Sequence, residues 1–265
     1  MTLEHLFLSL WQDYTLRLCP SAQRIHQLLK AKGPLINDHI ALRTFNLPPI
    51  GLSVMAQPFL ALGYQACGDY VFENKHLLAK HYQHPDPTLP KVFISELEVD
   101  KCSIDLQRLA LQLVQQVQRD HFNSTSFLFS GRHWDLSFEQ YQVLAKESEY
   151  AAWFAAHGFG ANHFTVDVNQ LMSFEQVKEV NDYLRQVGFT INESGGEVKG
   201  SPLVLLEQSS TMADSVEVKF VDREAMIPGG FYEFAKRYPD HDGELYQGFV
   251  AASADKIFES THLTK

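Results

Sequence analysis

Cysteine is scarce. Cys19, Cys67 and Cys102 lie far apart in 265 residues, and no C-x-x-C occurs. A disulfide framework and a thiolate zinc site are therefore poor fits, and a reduced compartment is expected. Positive charge is also short. Lys and Arg total 22 against 32 Asp and Glu, a net charge of -10. That leaves no general basic surface for nucleic acid or anionic lipid, although a local basic pocket for a small anion is compatible with it. No apolar run approaches the roughly 20 residues of a membrane-spanning helix. The N-terminus, Met1-Thr2-Leu3-Glu4-His5, has neither the basic n-region nor the small-residue cleavage site of a secretory signal. The expected location is cytoplasmic, with no nucleic-acid or membrane partner. No G-x-x-x-x-G-K-[S/T] is present, so Gly195-Gly196 and Gly200-Ser201-Pro202 read as turns and not as a phosphate loop.

What remains is an ordinary globular composition, 45% apolar and 20% charged, long enough for a sizeable core. The central stretch is Asp38-His39-Ile40-Ala41-Leu42-Arg43-Thr44-Phe45. Strand side chains alternate, so His39, Ala41, Arg43 and Phe45 share one face while Ile40, Leu42 and Thr44 share the other. One face packs a core. The other sets an imidazole, a common metal ligand, beside a guanidinium, a planar clamp for carboxylate or phosphate. This strand is expected to bring a metal ion and an anionic substrate together.

Two helices are expected before it, over 2–18 and 21–32, with stops at Pro20 and Gly33-Pro34. After it come a helix over 52–62, a hairpin over 68–83, a proline-rich loop over 84–90 and a strand over 92–99. Helical periodicity fills 103–119 and 134–157. A second polar-residue–histidine pair, Asn162-His163, then opens a strand over 161–168. A helix over 173–187 and strands near 189–192, 203–208, 214–221 and 230–236 follow, and a helix over 244–260 closes the chain. The order strand, helix, several antiparallel strands thus occurs twice, each time led by a histidine, and reads as an internal repeat. One domain over 1–265 is expected: N-terminal helices 1–37, first βαβββ unit 38–100, helical insertion 101–160, second unit 161–240 and C-terminal helix 241–265.

A tandem of such units, each with a histidine on its first strand, resembles the vicinal oxygen chelate superfamily of glyoxalases and extradiol dioxygenases. The implied fold is α+β, a half-open barrel of two βαβββ units with added helices. The stretches 38–45, Val92-Phe93-Ile94-Ser95-Glu96-Leu97, Asn162-His163-Phe164-Thr165, Lys199-Gly200-Ser201-Pro202 and Gly229-Gly230-Phe231-Tyr232-Glu233-Phe234-Ala235 resemble the DUF1338 family, over about Leu3 to Thr261. The resemblance implies metal ligands at His39, His163 and Glu233, and a substrate-carboxylate clamp at Arg43. It implies an Fe(II)-dependent dioxygenase/decarboxylase that converts a 2-oxo dicarboxylic acid, 2-oxoadipate in lysine breakdown, with O2 to 2-hydroxyglutarate and CO2. Two imidazoles and a carboxylate form the facial set of non-haem Fe(II) oxygenases, a set that also accepts Zn, Ni or Mn.

Each residue has a plainer reading. A histidine within a strand is commonly a hydrogen-bonded core residue. Arg43 has a structural alternative as an ion pair with Asp38 or Glu96. Glu217 is the competing late-strand carboxylate, read as solvent-facing. Glu96 reads as the first unit's match to Glu233, either partnering a histidine or lining the pocket. Ser201 is a candidate substrate contact, and Gln208 and Ser209 are weaker ones. His81 is a possible pocket residue, His84 a surface one, and His133, His157 and His241 structural or exposed. Two other functions compete: a Zn, Ni or Mn isomerase, lyase or hydrolase with four protein ligands, in which Glu96 joins the set, and a non-catalytic small-acid binder.

Overall fold

The computed structural model describes residues 1–261. Its centre is an eight-stranded sheet with the order β2-β3-β4-β1-β5-β10-β7-β6. The strands of the first half are β1 Asn37–Phe45, β2 Gln65–Phe72, β3 Leu77–Gln83 and β4 Lys91–Leu97. Those of the second are β5 Ala161–Asp167, β6 Lys199–Ser201, β7 Leu206–Ser210 and β10 Phe231–Arg237. A separate hairpin, β8 Ser215–Lys219 with β9 Glu224–Pro228, interrupts the second half. In each half the first strand pairs parallel with the last, β1 with β4 and β5 with β10. The halves join by antiparallel pairing of β1 with β5. This is the vicinal oxygen chelate architecture, with a pseudo-twofold axis between the two histidine-bearing strands.

Eight α-helices are described: α1 Leu3–Asp13, α2 Pro20–Lys30, α3 Leu52–Ala61, α4 Ile104–Val114, α5 Phe138–Glu147, α6 Glu149–His157, α7 Val177–Gln186 and α8 Ala251–Ile257. None is long and apolar enough to cross a membrane. β1 is buried from Asp38 to Phe45 and β5 from Ala161 to Val166, because helices cover one face while the barrel closes on the other. A π-helical turn after α1, Tyr14–Leu18, fixes the start of β10. Tyr14 donates to the Phe231 carbonyl and the Leu18 carbonyl accepts from Gly230. A Cβ on Gly230 would lie 2.7 Å from the Asn162 carbonyl, so glycine lets β10 close onto β5. Gly158 ends α6 at φ 67°, and a Cβ there would fall 2.4 Å from the Gly131 carbonyl.

Several expected elements differ. The expected helix over 134–157 is two helices, α5 and α6, because Ser148 caps α6 through its side chain. Residues 189–192 form only a bridge, Ile191 to Thr211. The strand expected over 203–208 begins at Leu206, after a 3-10 turn at Pro202–Val204. β9 was not expected, and the 214–221 strand pairs with it outside the main sheet. The closing helix starts at Ala251 and not 244, since 245–250 runs as an irregular strap. The expected C-terminal unit's last residues, 262–265, lie outside the described residues.

Candidate metal centre

The two joining strands are each bulged at one residue. Between Asn37 and His39, β1 advances two residues while β5 advances one; between Ala41 and Leu42, β5 advances two against one. The extra residues are Asp38 and Asn162. A bulge re-aims a side chain, and here both turn onto the ring of the histidine that follows. Asp38 Oδ1 lies 2.7 Å from His39 Nδ1, and Asn162 Oδ1 lies 3.0 Å from His163 Nδ1. An ionised carboxylate only accepts, so His39 Nδ1 carries the proton and Nε2 keeps a lone pair. The same tautomer suits His163.

Across the sheet, His39, Thr165 and Glu233 form one row of paired positions, and His163 sits in the next row beside Phe231. The two imidazoles and the carboxylate are buried, and ligand atoms of all three lie within 4.8 Å of one another. Glu233 Oε1 is 3.4 Å from His39 Nε2, and Oε2 is 3.4 Å from His163 Nε2. Gln208 Nε2 donates to Oε1 at 2.6 Å, whereas Oε2 has no hydrogen-bond partner among the described residues. Thr165 Oγ1 lies 3.1 Å from His39 Nε2.

Lone pairs thus converge in a small buried space. Burial, reinforced by His39 and Arg43, holds the His163 pKa well below its ordinary value, which keeps it neutral as a ligand must be. Burial raises the Glu233 carboxyl, against the lowering effect of His39 and the Gln208 hydrogen bond. At Asp38 burial opposes ionisation, but Arg237 and the His39 hydrogen bond outweigh it and hold the carboxyl well below the usual range. A buried set of two imidazoles and a carboxylate with an orphaned oxygen fits a divalent metal ion. The enclosing cavity is about 20 Å³, lined by His39, His163 and Glu233 with Phe93, Gln208, Phe249 and Ile257. That is room for an ion or about one water and no more.

A family profile described as 2-oxoadipate dioxygenase/decarboxylase (HGLS) matches residues 8–243. The chain belongs to this family. It is 34% identical over 270 residues to the chloroplastic 2-oxoadipate dioxygenase/decarboxylase of Arabidopsis thaliana, covering 91% of this chain and 73% of that protein. The crystal structure of hydroxyglutarate synthase from Oryza sativa, in complex with 2-oxoadipate, superposes with a TM-score of 0.91 at 32% identity, covering 97% of this chain and 91% of that one. A Shewanella frigidimarina protein, provisionally described as a hydrolase, matches with a TM-score of 0.91 at 57% identity, covering 94% of this chain and 98% of that one. As a member of the family, the chain is an enzyme of the dioxygenase/decarboxylase type.

His39, His163 and Glu233 are brought together. Arg43 follows on the same strand and is buried, and among the described residues it pairs with Glu149, at 2.8 Å, and with neither Asp38 nor Glu96. Asp38 is taken by Arg237 instead, at 2.9 Å from Nη2. Glu96 is not the counterpart of Glu233. Register pairs Glu233 with Thr165 two residues after His163, and the same offset after His39 pairs Ala41 with Phe93. Glu96 points away and accepts from Leu52 N at 2.7 Å, at the start of α3. Glu217 is exposed on β8, as expected. Ser201 lies on the edge strand β6, two strands beyond Glu233, and lines neither described cavity. Ser209 points to Asn181 at 2.7 Å. His81 is buried against Tyr70 and Gln83 and supports Phe249, 5.3 Å between rings. His157 is buried and donates to the Pro228 carbonyl at 2.8 Å.

Sequence reasoning missed Phe249 and Ile257. The Phe249 ring stands edge-on to His39 at 4.8 Å, on a strap held by Arg237, which donates to the Tyr246 and Gly248 carbonyls at 2.8 Å each. Local sequence carries no signal for this, because the strap lies far along the chain from both histidines.

Proposed function

We propose that this enzyme is an Fe(II)-dependent dioxygenase/decarboxylase that converts 2-oxoadipate and O2 to 2-hydroxyglutarate and CO2, with His39, His163 and Glu233 holding the metal and Arg43 holding a substrate carboxylate. The observation that carries the assignment is the buried convergence of two imidazoles and one carboxylate, with a guanidinium farther along the same strand face as His39. The Arabidopsis and rice relatives support the choice of substrate.

The reaction balances without an added reductant. A six-carbon oxo diacid and O2 become a five-carbon hydroxy diacid and CO2, with every hydrogen kept. Oxidation of the carbon chain supplies the electrons that dioxygen takes up. Iron(II), when bound, supplies redox chemistry for dioxygen and open positions for a 2-oxo acid. The protein's share is positioning. Asp38 and Asn162 hold the Nδ1 protons, so both imidazoles present Nε2 lone pairs inward. Gln208 occupies one oxygen of Glu233 and leaves the other directed at the cluster. Phe93, Phe249 and Ile257 exclude water from the space beside it. Arg43 orients a diacid by its far end.

A four-ligand site of glyoxalase type loses support, because the position equivalent to Glu233 in the first half is Phe93. The test is oxygen uptake by Fe(II)-reconstituted protein on adding 2-oxoadipate, with CO2 and 2-hydroxyglutarate formed in step and none from His163→Ala. Absence of uptake with every 2-oxo acid tried, despite bound Fe(II), overturns the assignment.

A further inference from the structure

Arg43 heads the largest fully buried side chains, 1% exposed. A buried guanidinium needs a counter-charge. Glu149 provides one, with Oε1 2.8 Å from Nη1. The Thr261 hydroxyl bridges the pair: it donates to Glu149 Oε1 and lies 3.4 Å from Arg43 Nη2. Tyr150 and Trp153 flank the guanidinium at 4.9 and 5.1 Å. Two of the nitrogens that would grip a carboxylate in a fork are therefore already engaged.

Glu149 opens α6 beside the break at Ser148, and its side chain is 21% exposed. It faces a second cavity of about 510 Å³, whose walls include Lys75, His76, Lys146 and Thr261. Residues close in sequence line both cavities, Ile257 the smaller and Thr261 the larger. A part-exposed carboxylate released from Arg43 can turn into the larger cavity, toward solvent and two lysines, at small cost.

We propose that Glu149 is a resident carboxylate occupying the substrate's seat on Arg43, displaced when the far carboxylate of a diacid arrives, and so the residue that sets affinity for diacids. The inference rests on the reading of Arg43 as the substrate clamp. In the free enzyme Glu149 keeps the guanidinium neutralised. On binding, one carboxylate replaces another, so the ion pair gained is offset by one lost.

The test is calorimetric titration of the metal-loaded protein with adipate, which has both carboxylates but no 2-oxo group. Glu149→Gln keeps the shape and removes the charge. Its adipate affinity is expected to rise about tenfold or more, the value of a charged hydrogen bond no longer surrendered. The KM for 2-oxoadipate falls with it, and Arg43→Met abolishes binding in either background. A residue that merely props Arg43 in place gives the opposite result, weaker adipate binding and a higher KM, and that overturns the proposal. So does unchanged binding. Should Glu149→Gln fold poorly, Glu149→Asp, which shortens the reach to Arg43, is expected to bind adipate more tightly than wild type, and weaker binding overturns the proposal. Tighter adipate binding without oxygen uptake from 2-oxoadipate leaves this inference standing and removes the oxygenase assignment. Oxygen uptake with unaltered adipate binding does the reverse.

Discussion

Asp38 Oδ1 lies 2.7 Å from Nδ1 of His39, and the same carboxylate is gripped by Arg237, whose other nitrogen donates to the strap that carries Phe249. One buried carboxylate therefore orients the His39 ring and anchors the strap over the cluster.

Asn162 does the first of these jobs at His163 and not the second. Asp38→Ala and Asn162→Ala should each weaken metal binding by about 10–100-fold, the usual effect of losing a ligand's orienting partner. Only Asp38→Ala should also cost fold stability, roughly 3–5 kcal/mol, because it strands Arg237 in the interior. Chelator competition measures the first effect and urea denaturation the second. Equal stability in the two variants would show that the ion pair with Arg237 contributes nothing.

Phe93 stands where a fourth ligand would enter from the first half. Phe93→Glu is expected to bind Zn(II) or Ni(II) more tightly than wild type and to lose oxygen uptake, since a fourth protein ligand removes an open position. Metal affinity by chelator competition, read beside an oxygen electrode, checks both parts.

A 2-oxo diacid is larger than the space of about 20 Å³ beside the cluster, and Phe249 of the strap and Ile257 of α8 form part of its wall, so both are expected to shift on binding. Hydrogen exchange over 249–257 is expected to change on anaerobic addition of 2-oxoadipate, while β5 remains protected. Phe249→Ala should enlarge the cavity and raise exchange in the strap without substrate. Unchanged exchange in both experiments would mean that substrate reaches the metal by another route.

Burial lowers the pKa of His157 to about 3 from its ordinary value of 6.5, with Arg17, Arg132 and Arg43 adding to the effect and the Pro228 carbonyl opposing it. The unfolded chain therefore takes up a proton near pH 6.5 that the folded chain refuses until far lower pH. Stability from this group is complete above pH 6.5 and declines as the pH falls toward 3, by at most about 1.4 kcal/mol per pH unit. His157→Gln should flatten the fall of Tm with acid across that window.

Much of this was legible in the sequence. The repeat is visible because each half must start with a buried strand that exposes a histidine to the barrel interior, so the pattern around His39 recurs at His163. Period-two alternation sets His39 and Arg43 on one face, and α1, α3, α4 and α7 follow apolar spacing. The pairing Asp38-His39 and Asn162-His163 is also visible as words, but its meaning is not. Adjacent strand residues normally face apart, and only the two bulges, each a property of a strand pair, turn Asp38 and Asn162 onto their neighbours. Glu96 misled for the same reason: it sits three residues past Phe93, and register, not proximity in sequence, decides which residue faces the two histidines.

Local chemistry along the chain determined most of the strands and helices and the residue types able to hold a metal and a diacid. Tertiary structure decided which carboxylate joins the histidines, which one neutralises Arg43, and what closes the site. Glu233, Glu149 and Phe249 reach the β1 face from 194, 106 and 210 residues away, counted by sequence number from His39, Arg43 and His39. No periodicity within a segment encodes contacts of that span; sheet pairing and core packing create them only once the two halves have closed.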